Sequence, residues 1–260
     1  MESIDHLQEL CGRGQALLMQ TRYVEALAVL EKAERLALEA LDWDTLARLY
    51  LPLQETRRQI RQRCGEGEVD LGVMLPPGMV GREKAFAEDF VRTHRHGQYL
   101  IAGNGAESGA LGFATAVRKL AQDQGLFVEA FLGVWYAIGG PTGMRVVAVA
   151  PMPEAAMPVI TDASSLDDVA RAIPGYCLLL PSNDLGPRTA RGNTTTYGRT
   201  MAMWERLAAT HLAGCLSASN SVPVQQRIEE LRKVIQIDPG CEIAHQQVAK
   251  IAMQQARQAR

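Results

Sequence analysis

The sequence predicts an α/β protein in which a central, mainly parallel sheet carries helices on both faces and lies between helical hairpins at the N- and C-termini. Apolar residues recur at helical spacing near both ends of the chain. In the middle, clusters of Pro and Gly separate short segments that alternate between strand-like and helical patterns. The expected divisions are residues 1–64, 65–220 and 221–260.

The first segment has the spacing of a helix-turn-helix pair between Leu10 and Leu38. It resembles the tetratricopeptide repeat, in which small residues let two helices approach and bulky residues fill the gaps. Arg13 stands where that repeat has Leu, and Leu38 where it has Pro. The small positions are Gly14, Ala26 and Ala33, and the bulky positions are Leu10, Leu17 and Leu30.

The C-terminal segment carries the same resemblance. The run Ile237-Asp238-Pro239-Gly240 looks like the stop between two repeats, because Pro cannot continue a helix. Beyond it, Ile243, Val248 and Ile251 form the apolar face of a further helix. Because two repeats or fewer cannot bury their apolar faces alone, we expect residues 7–63 and 225–256 to pack together. The resemblance implies a protein or peptide partner.

A third helix is predicted from Trp43 to Arg63, and its last turns are basic. Cations complement the dipole at a helix C-terminus, so Arg57, Arg58 and Arg61 are expected on a solvated face. The alternative is that these three arginines bind a partner as a clamp for an anion or a peptide carboxylate.

In the middle segment, strand-like runs at 99–102, 127–136, 146–150 and 176–180 alternate with helical runs at 110–122, 166–173 and 200–215. Near-continuous apolar strands of this kind are typical of a parallel sheet that is covered on both faces.

The first of these strands leads into a glycine-rich turn, from Tyr99 to Gly112, that resembles the Rossmann dinucleotide-binding fingerprint. That resemblance implies that Gly103, Asn104 and Gly105 form a tight turn close to a pyrophosphate, with Ser108 in place of the third Gly. Glu129, about 20 residues further on, would then bind the ribose.

Two other interpretations of this region stay open. The turn could bind nothing, or it could bind a sugar phosphate through Asn104, Glu107 and Ser108. Asp184 follows the last strand, where it could contact a ligand at the carboxyl edge of the sheet or form a local turn. Any site is expected where the glycine-rich turn meets residues 181–186.

Composition and charge limit the binding partners and the cellular location that we expect for the protein. A net charge of -2, from 27 basic and 29 acidic residues, argues against a nucleic acid or an anionic membrane as partner. The longest apolar run, Leu126 to Ile138, contains Glu129 and is shorter than the ~20 residues of a spanning helix. The acidic start of the chain is unlike a signal peptide, so we expect a cytoplasmic protein. His94 and His96 have no further metal-ligating residues close to them in the sequence that would indicate a metal site. The sequence also contains no recognised catalytic motif.

Overall fold

The computed structural model describes residues 2–74, 81–104, 110–139, 144–150, 158, 160, 163–173, 177–181, 194–217 and 222–259. The chain divides into two compact units, one formed by Met1–Gln62 with Ala208–Arg260 and the other by Arg63–Leu207. We call them the helical unit and the sheet unit. The α/β class predicted from the sequence is confirmed. None of the helices described is long and apolar enough to cross a membrane.

The helical unit contains α1 (Glu2–Met19), α2 (Tyr23–Glu39), most of α3 (Trp43–Gly65), α8 (Val224–Ile237) and α9 (Glu242–Gln258). Their apolar faces form one core to which both ends of the chain contribute, and the last part of α7 (Thr194–Ser217) joins it through Ala208 and Leu212. A Cβ added at Gly14 would lie 2.5 Å from Cδ2 of Leu30. The small residue in α1 is therefore required by the close approach of α2.

Side-chain contacts give the order of these helices. Gln8 of α1 donates to Thr45 of α3, and Glu34 of α2 is bound by Arg232 of α8. The ring of Tyr50 in α3 packs edge-on against His245 of α9. These contacts join α1 to α3, α2 to α8 and α3 to α9. In the series α1, α2, α3, α8, α9, each helix thus contacts the second helix after it, as in two-layered helical repeats. We call α1, α3 and α9 the first layer, and α2 and α8 the second layer.

The turns after α1 and α2 are built alike. Each places a residue other than glycine in the left-handed region, with φ 61° at Thr21 and φ 53° at Leu41. The Asp42 amide donates to the Ala37 carbonyl at 2.9 Å, and the Leu41 amide donates to the Leu38 carbonyl at 3.2 Å. This is the hydrogen-bond pattern of a Schellman motif, in which glycine normally holds the left-handed position.

The sheet unit contains five strands in the order β1 (Glu68–Met74), β2 (His96–Asn104), β3 (Phe127–Ile138), β4 (Met144–Ala150) and β5 (Leu178–Pro181). Strands β1, β2 and β3 are parallel, whereas β4 is antiparallel to both of its neighbours. The prediction of a mainly parallel sheet therefore holds only for the first three strands. Residues 139–143 are too few for the crossover that a parallel β3–β4 pair would need.

Helices α4 (Glu83–Thr93) and α5 (Ala110–Asp123) connect the parallel strands and pack on one face of the sheet. Their core includes Val91, Phe113 and Val117 against Tyr99 and Ile101 of β2. The opposite face is also buried at Val69, Gln98, Leu100 and Phe131, as expected for a sheet covered on both sides. Helix α6 (Leu166–Ala172) follows β4 and contributes Val169 to a smaller core with Val134, Tyr136 and Ile138.

The left-handed residue at 41 generates a stability prediction. Replacing Leu41 by Gly should raise the free energy of unfolding by about 0.5–1 kcal/mol, because glycine adopts this conformation without the clash of a Cβ. The substitution also removes the apolar burial of Leu41, which is 47% exposed, and the control below removes the same burial. Urea unfolding of the full chain measures the change.

Leu41→Ala is the matched control, because alanine removes the same side chain but keeps the Cβ that makes the left-handed conformation costly. A Leu41→Gly protein that is less stable than Leu41→Ala would show that strain at this turn has been overestimated.

Candidate functional site

The glycine-rich segment begins at the carboxyl end of a central strand. Gly103 and Asn104 are the last residues of β2, which lies between β1 and β3 and is parallel to both, so the strand predicted at residues 99–102 is confirmed. Helix α5 follows at Ala110. Gly105 and Ser108 lie outside the described residues, as does Asp184.

Glu129 lies at the opposite end of the sheet from this segment. It is aligned with Gln98 near the start of β3, whereas Asn104 is aligned with Trp135. The two rows are six residues apart (98 to 104), or about 20 Å at ~3.3 Å per residue. Since ribose and pyrophosphate are adjacent groups of a dinucleotide, the prediction that Glu129 binds the ribose is wrong. Its carboxylate instead accepts a hydrogen bond from Nε2 of Gln98 at 2.8 Å.

The strand order also differs from that of a Rossmann sheet. In a doubly wound sheet the first strand is central and ligands bind where the strand order reverses. Here β1 is the first strand in the order and β2 to β5 follow in sequence, so the described strands contain no reversal. The Rossmann resemblance is therefore limited to the local succession of β2, the glycine-rich segment and α5.

The other predicted part of the site, the loop after β5, leaves from the same edge of the sheet. Strand β5 runs in the direction of β2, because two antiparallel pairings lie between β3 and β5. Asn104, Trp135, Val147 and Leu180 form one row across the sheet. Three strand spacings separate the ends of this row, or about 14 Å at ~4.8 Å each. A ligand that touched both loops would have to span that distance.

The three arginines near the end of α3 do not form a clamp. Arg61 is only 2% exposed and is paired with Asp238, which follows α8. Arg57 is largely buried, and its Nη2 lies 3.3 Å from Oε1 of Glu31. Only Arg58 is exposed, and its guanidinium is paired with Glu55 at 2.9 Å. The interpretation of Arg57 and Arg61 as partner-binding residues is wrong, because α8 and α9 cover this side of α3 and each buried cation needs a carboxylate.

Glu34 is the centre of the buried polar cluster to which Arg57 belongs. Its carboxylate accepts a hydrogen bond from the Tyr50 hydroxyl and another from Nε of Arg232 at 3.2 Å. The Arg57 guanidinium lies 3.8 Å away. Burial, followed by the neighbouring Glu34 charge, raises the pKa of Tyr50 well above its usual range. Tyr50 therefore stays protonated and remains a donor to Glu34.

His245 completes the cluster from α9. Its Nδ1 lies 2.8 Å from the Cys241 carbonyl oxygen, which can only accept, so Nδ1 carries the proton. Nε2 then accepts from the Arg57 guanidinium at 3.3 Å. Burial lowers the pKa of His245 to about 4. The neutral imidazole thus joins α9 to α3 without adding a charge beside Arg57.

The two layers of the helical unit differ in the large apolar side chains that they expose. Met19 of α1, Leu51 of α3, and Ile243 and Met253 of α9 are large apolar side chains exposed to solvent, and all belong to the first layer. Among the residues described for α2 and α8, the second layer exposes no large apolar side chain. We call Met19, Leu51, Ile243 and Met253 the exposed apolar set.

Helical periodicity in the sequence did not predict this set. Ile243 was predicted to lie on the buried face of α9, yet it is exposed together with Met253, ten residues further along the same helix. Leu51 follows the buried Tyr50 directly, so it points away from the core stripe of α3. The sequence signal that could have identified Leu51 was the position of an apolar residue outside the buried stripe of its helix.

No protein family, no curated protein and no solved structure matches the chain. Within the described ranges, no group of three or more His, Cys, Asp or Glu side chains could hold a metal ion. The exposed apolar set on the first layer of the helical unit is the best-defined candidate site among the residues that the structure describes.

The buried imidazole makes stability depend on pH. Below pH 6.5 the unfolded chain protonates residue 245, whereas the folded protein resists protonation until about pH 4. We therefore expect the free energy of unfolding to fall with pH across this window, by as much as ~3 kcal/mol from His245. His245→Gln should show a shallower fall between pH 7 and 4, measured by urea unfolding.

The other histidines are present in both proteins, so the comparison isolates residue 245. A constant difference in stability between the two proteins across the whole range would mean that His245 is not buried as a neutral group.

Proposed function

We propose that the protein is an interaction scaffold whose helical unit docks a peptide segment of a partner protein on its first layer. In the sequence, the sheet unit lies between the two segments that form the helical unit. The observation that carries the proposal is that four of the six large apolar side chains exposed in the described part of the helical unit lie on α1, α3 and α9, the other two being Leu41 and Leu216. Exposed apolar residues grouped in this way are typical of interaction surfaces.

Leu51 is the central member of the set. Its side chain is 72% exposed in the middle of α3, the middle helix of the first layer. The charged side chains on the same face already have partners, since Arg48 is paired with Asp44 at 2.9 Å and Arg58 with Glu55. A partner would therefore gain most from apolar contact with Leu51, for which full burial of a leucine contributes about 1.5–3 kcal/mol.

The alternative function, a nucleotide- or dinucleotide-binding enzyme or sensor, has less support. Glu129 is too far from Gly103 and Asn104 to act with them on one dinucleotide. Strand β1 occupies the edge where a doubly wound fold would place another strand. Docking through the helical unit requires neither feature, and it agrees with the tetratricopeptide resemblance of both chain ends.

Selection from a display library of short random peptides tests the proposal. The full chain should enrich peptides that contain apolar residues, and their affinity should fall about tenfold in the Leu51→Glu variant, because a charge would replace the apolar contact. Fluorescence anisotropy of the enriched peptides measures the loss.

Lys32→Glu is the matched control, since Lys32 is an exposed residue of α2 in the second layer. Neither substitution should change stability by more than about 0.5 kcal/mol, because both positions are exposed. The proposal fails if no peptide is enriched, or if Leu51→Glu binds the enriched peptides as tightly as the unchanged protein.

A further inference from the structure

Helix α9 presents a solvent face of mixed chemistry. Ile243, Lys250, Met253 and Arg257 are exposed, and their spacing places them within an arc of about 80° at ~100° per residue. Gln246 is exposed within the same arc. The opposite face, with Ala244, Val248 and Ile251, is buried in the core of the helical unit. We call Ile243, Lys250, Met253 and Arg257 the α9 face.

The two cations of this face have no acidic partner in the part of the chain that the structure describes. Neither Lys250 nor Arg257 forms an ion pair with any carboxylate in the described part of the chain. The single acidic residue of α9, Glu242, accepts a hydrogen bond from Gln246 at 2.8 Å. The Arg257 guanidinium lies 3.6 Å from Sδ of Met253.

The exposed face of α3 shows the contrast, because its arginines at 48 and 58 each have a carboxylate partner one turn away. The α9 face therefore combines exposed apolar side chains with uncompensated positive charge.

We propose that the α9 face docks an acidic amphipathic helix of a partner protein. This rests on the proposed function, since it names the partner chemistry for one part of the first layer. A partner helix can pack apolar residues between Ile243 and Met253 while Asp or Glu side chains beside them approach Lys250 and Arg257. The face extends over 15 residues, from 243 to 257, and is about 21 Å long, which suits about four turns of a second helix.

The charge pattern favours this occupant over a basic or neutral segment. A basic segment would bring like charges onto Lys250 and Arg257, and a neutral one would leave both cations without a partner at the rim of the contact. A lipid surface fits less well, because the broad apolar face that a membrane-bound helix would insert is the one that α9 buries in its own core.

Helix α2 offers a matched control. Lys32 and Arg35 are also exposed and form no ion pair among the described residues, but α2 exposes no large apolar side chain in that part of the chain. If positive charge alone bound the partner, replacing these two residues would weaken binding as much as replacing Lys250 and Arg257.

The test uses the full chain and three fluorescent peptides of about 14 residues. One is an acidic amphipathic helix with Leu on one face and Glu beside it, the second has Lys in place of every Glu, and the third is a scrambled version of the first. Anisotropy should show the acidic amphipathic peptide binding about tenfold more tightly than either of the others.

The Lys250→Glu/Arg257→Glu variant should bind the acidic amphipathic peptide about 3- to 10-fold more weakly, and the loss should shrink at high salt because exposed charges are screened. The Lys32→Glu/Arg35→Glu variant should bind it as the unchanged protein does. Equal loss in both variants, equal affinity for acidic and basic peptides, or no binding would overturn the inference.

Two further outcomes count against it. If sedimentation shows a dimer that Lys250→Glu/Arg257→Glu dissociates, the occupant of the α9 face is a second copy of the chain. If anionic vesicles bind the protein and the acidic peptide does not, the occupant is a lipid surface. Enrichment of only neutral or basic peptides by the display library would overturn this inference while leaving the proposed function in place.

Discussion

The Glu34 carboxylate is 2% exposed, and a buried carboxylate is tolerated only where donors surround it. Its donors come from distant parts of the sequence, since Tyr50 belongs to α3 and Arg232 to α8. Removing one partner of such a buried pair typically costs about 3–5 kcal/mol. The helical unit is therefore complete only when the segment after residue 222 packs against the first 62 residues. The packing of α8 and α9, and the surface that they leave exposed, depend on this constraint.

The same constraint explains which surface is left for function. Arg232 fixes α8 beside α2, and His245 fixes α9 beside α3. With those contacts in place, α1, α3 and α9 form one layer, and Leu51 and Met253 remain in solvent on that layer. The sequence offered Arg57 and Arg61 as candidates for binding a partner. In the structure both form ion pairs that hold the helices together. The proposed docking surface is apolar for that reason, and its uncompensated positive charge lies on α9.

Helical periodicity and the stop at Pro239 were sufficient to predict the helices at both ends, because burial of an apolar stripe leaves a direct pattern in the sequence. The sequence did not show that Arg57 would be buried, since pairing with Glu31 depends on tertiary contacts that periodicity does not report. Strand β1 and helix α4 were also missed, because Glu68 and Asp70 interrupt the apolar pattern of β1 and α4 buries only Ala87 and Val91 fully. The direction of β4 could have been predicted from the short connection before it, whereas the position of Glu129 required the register of β2 and β3.

The central claim is that the two ends of the chain form one cooperative helical unit around the Glu34 cluster. Native-state hydrogen exchange of the full chain, followed by mass spectrometry under increasing denaturant, tests it most directly. The account predicts that amides of α2, α8 and α9 open together with one free energy, and that Glu34→Gln lowers this energy equally for all three helices. Exchange of α8 and α9 at markedly lower denaturant than α2, with α2 unaffected by Glu34→Gln, would contradict it.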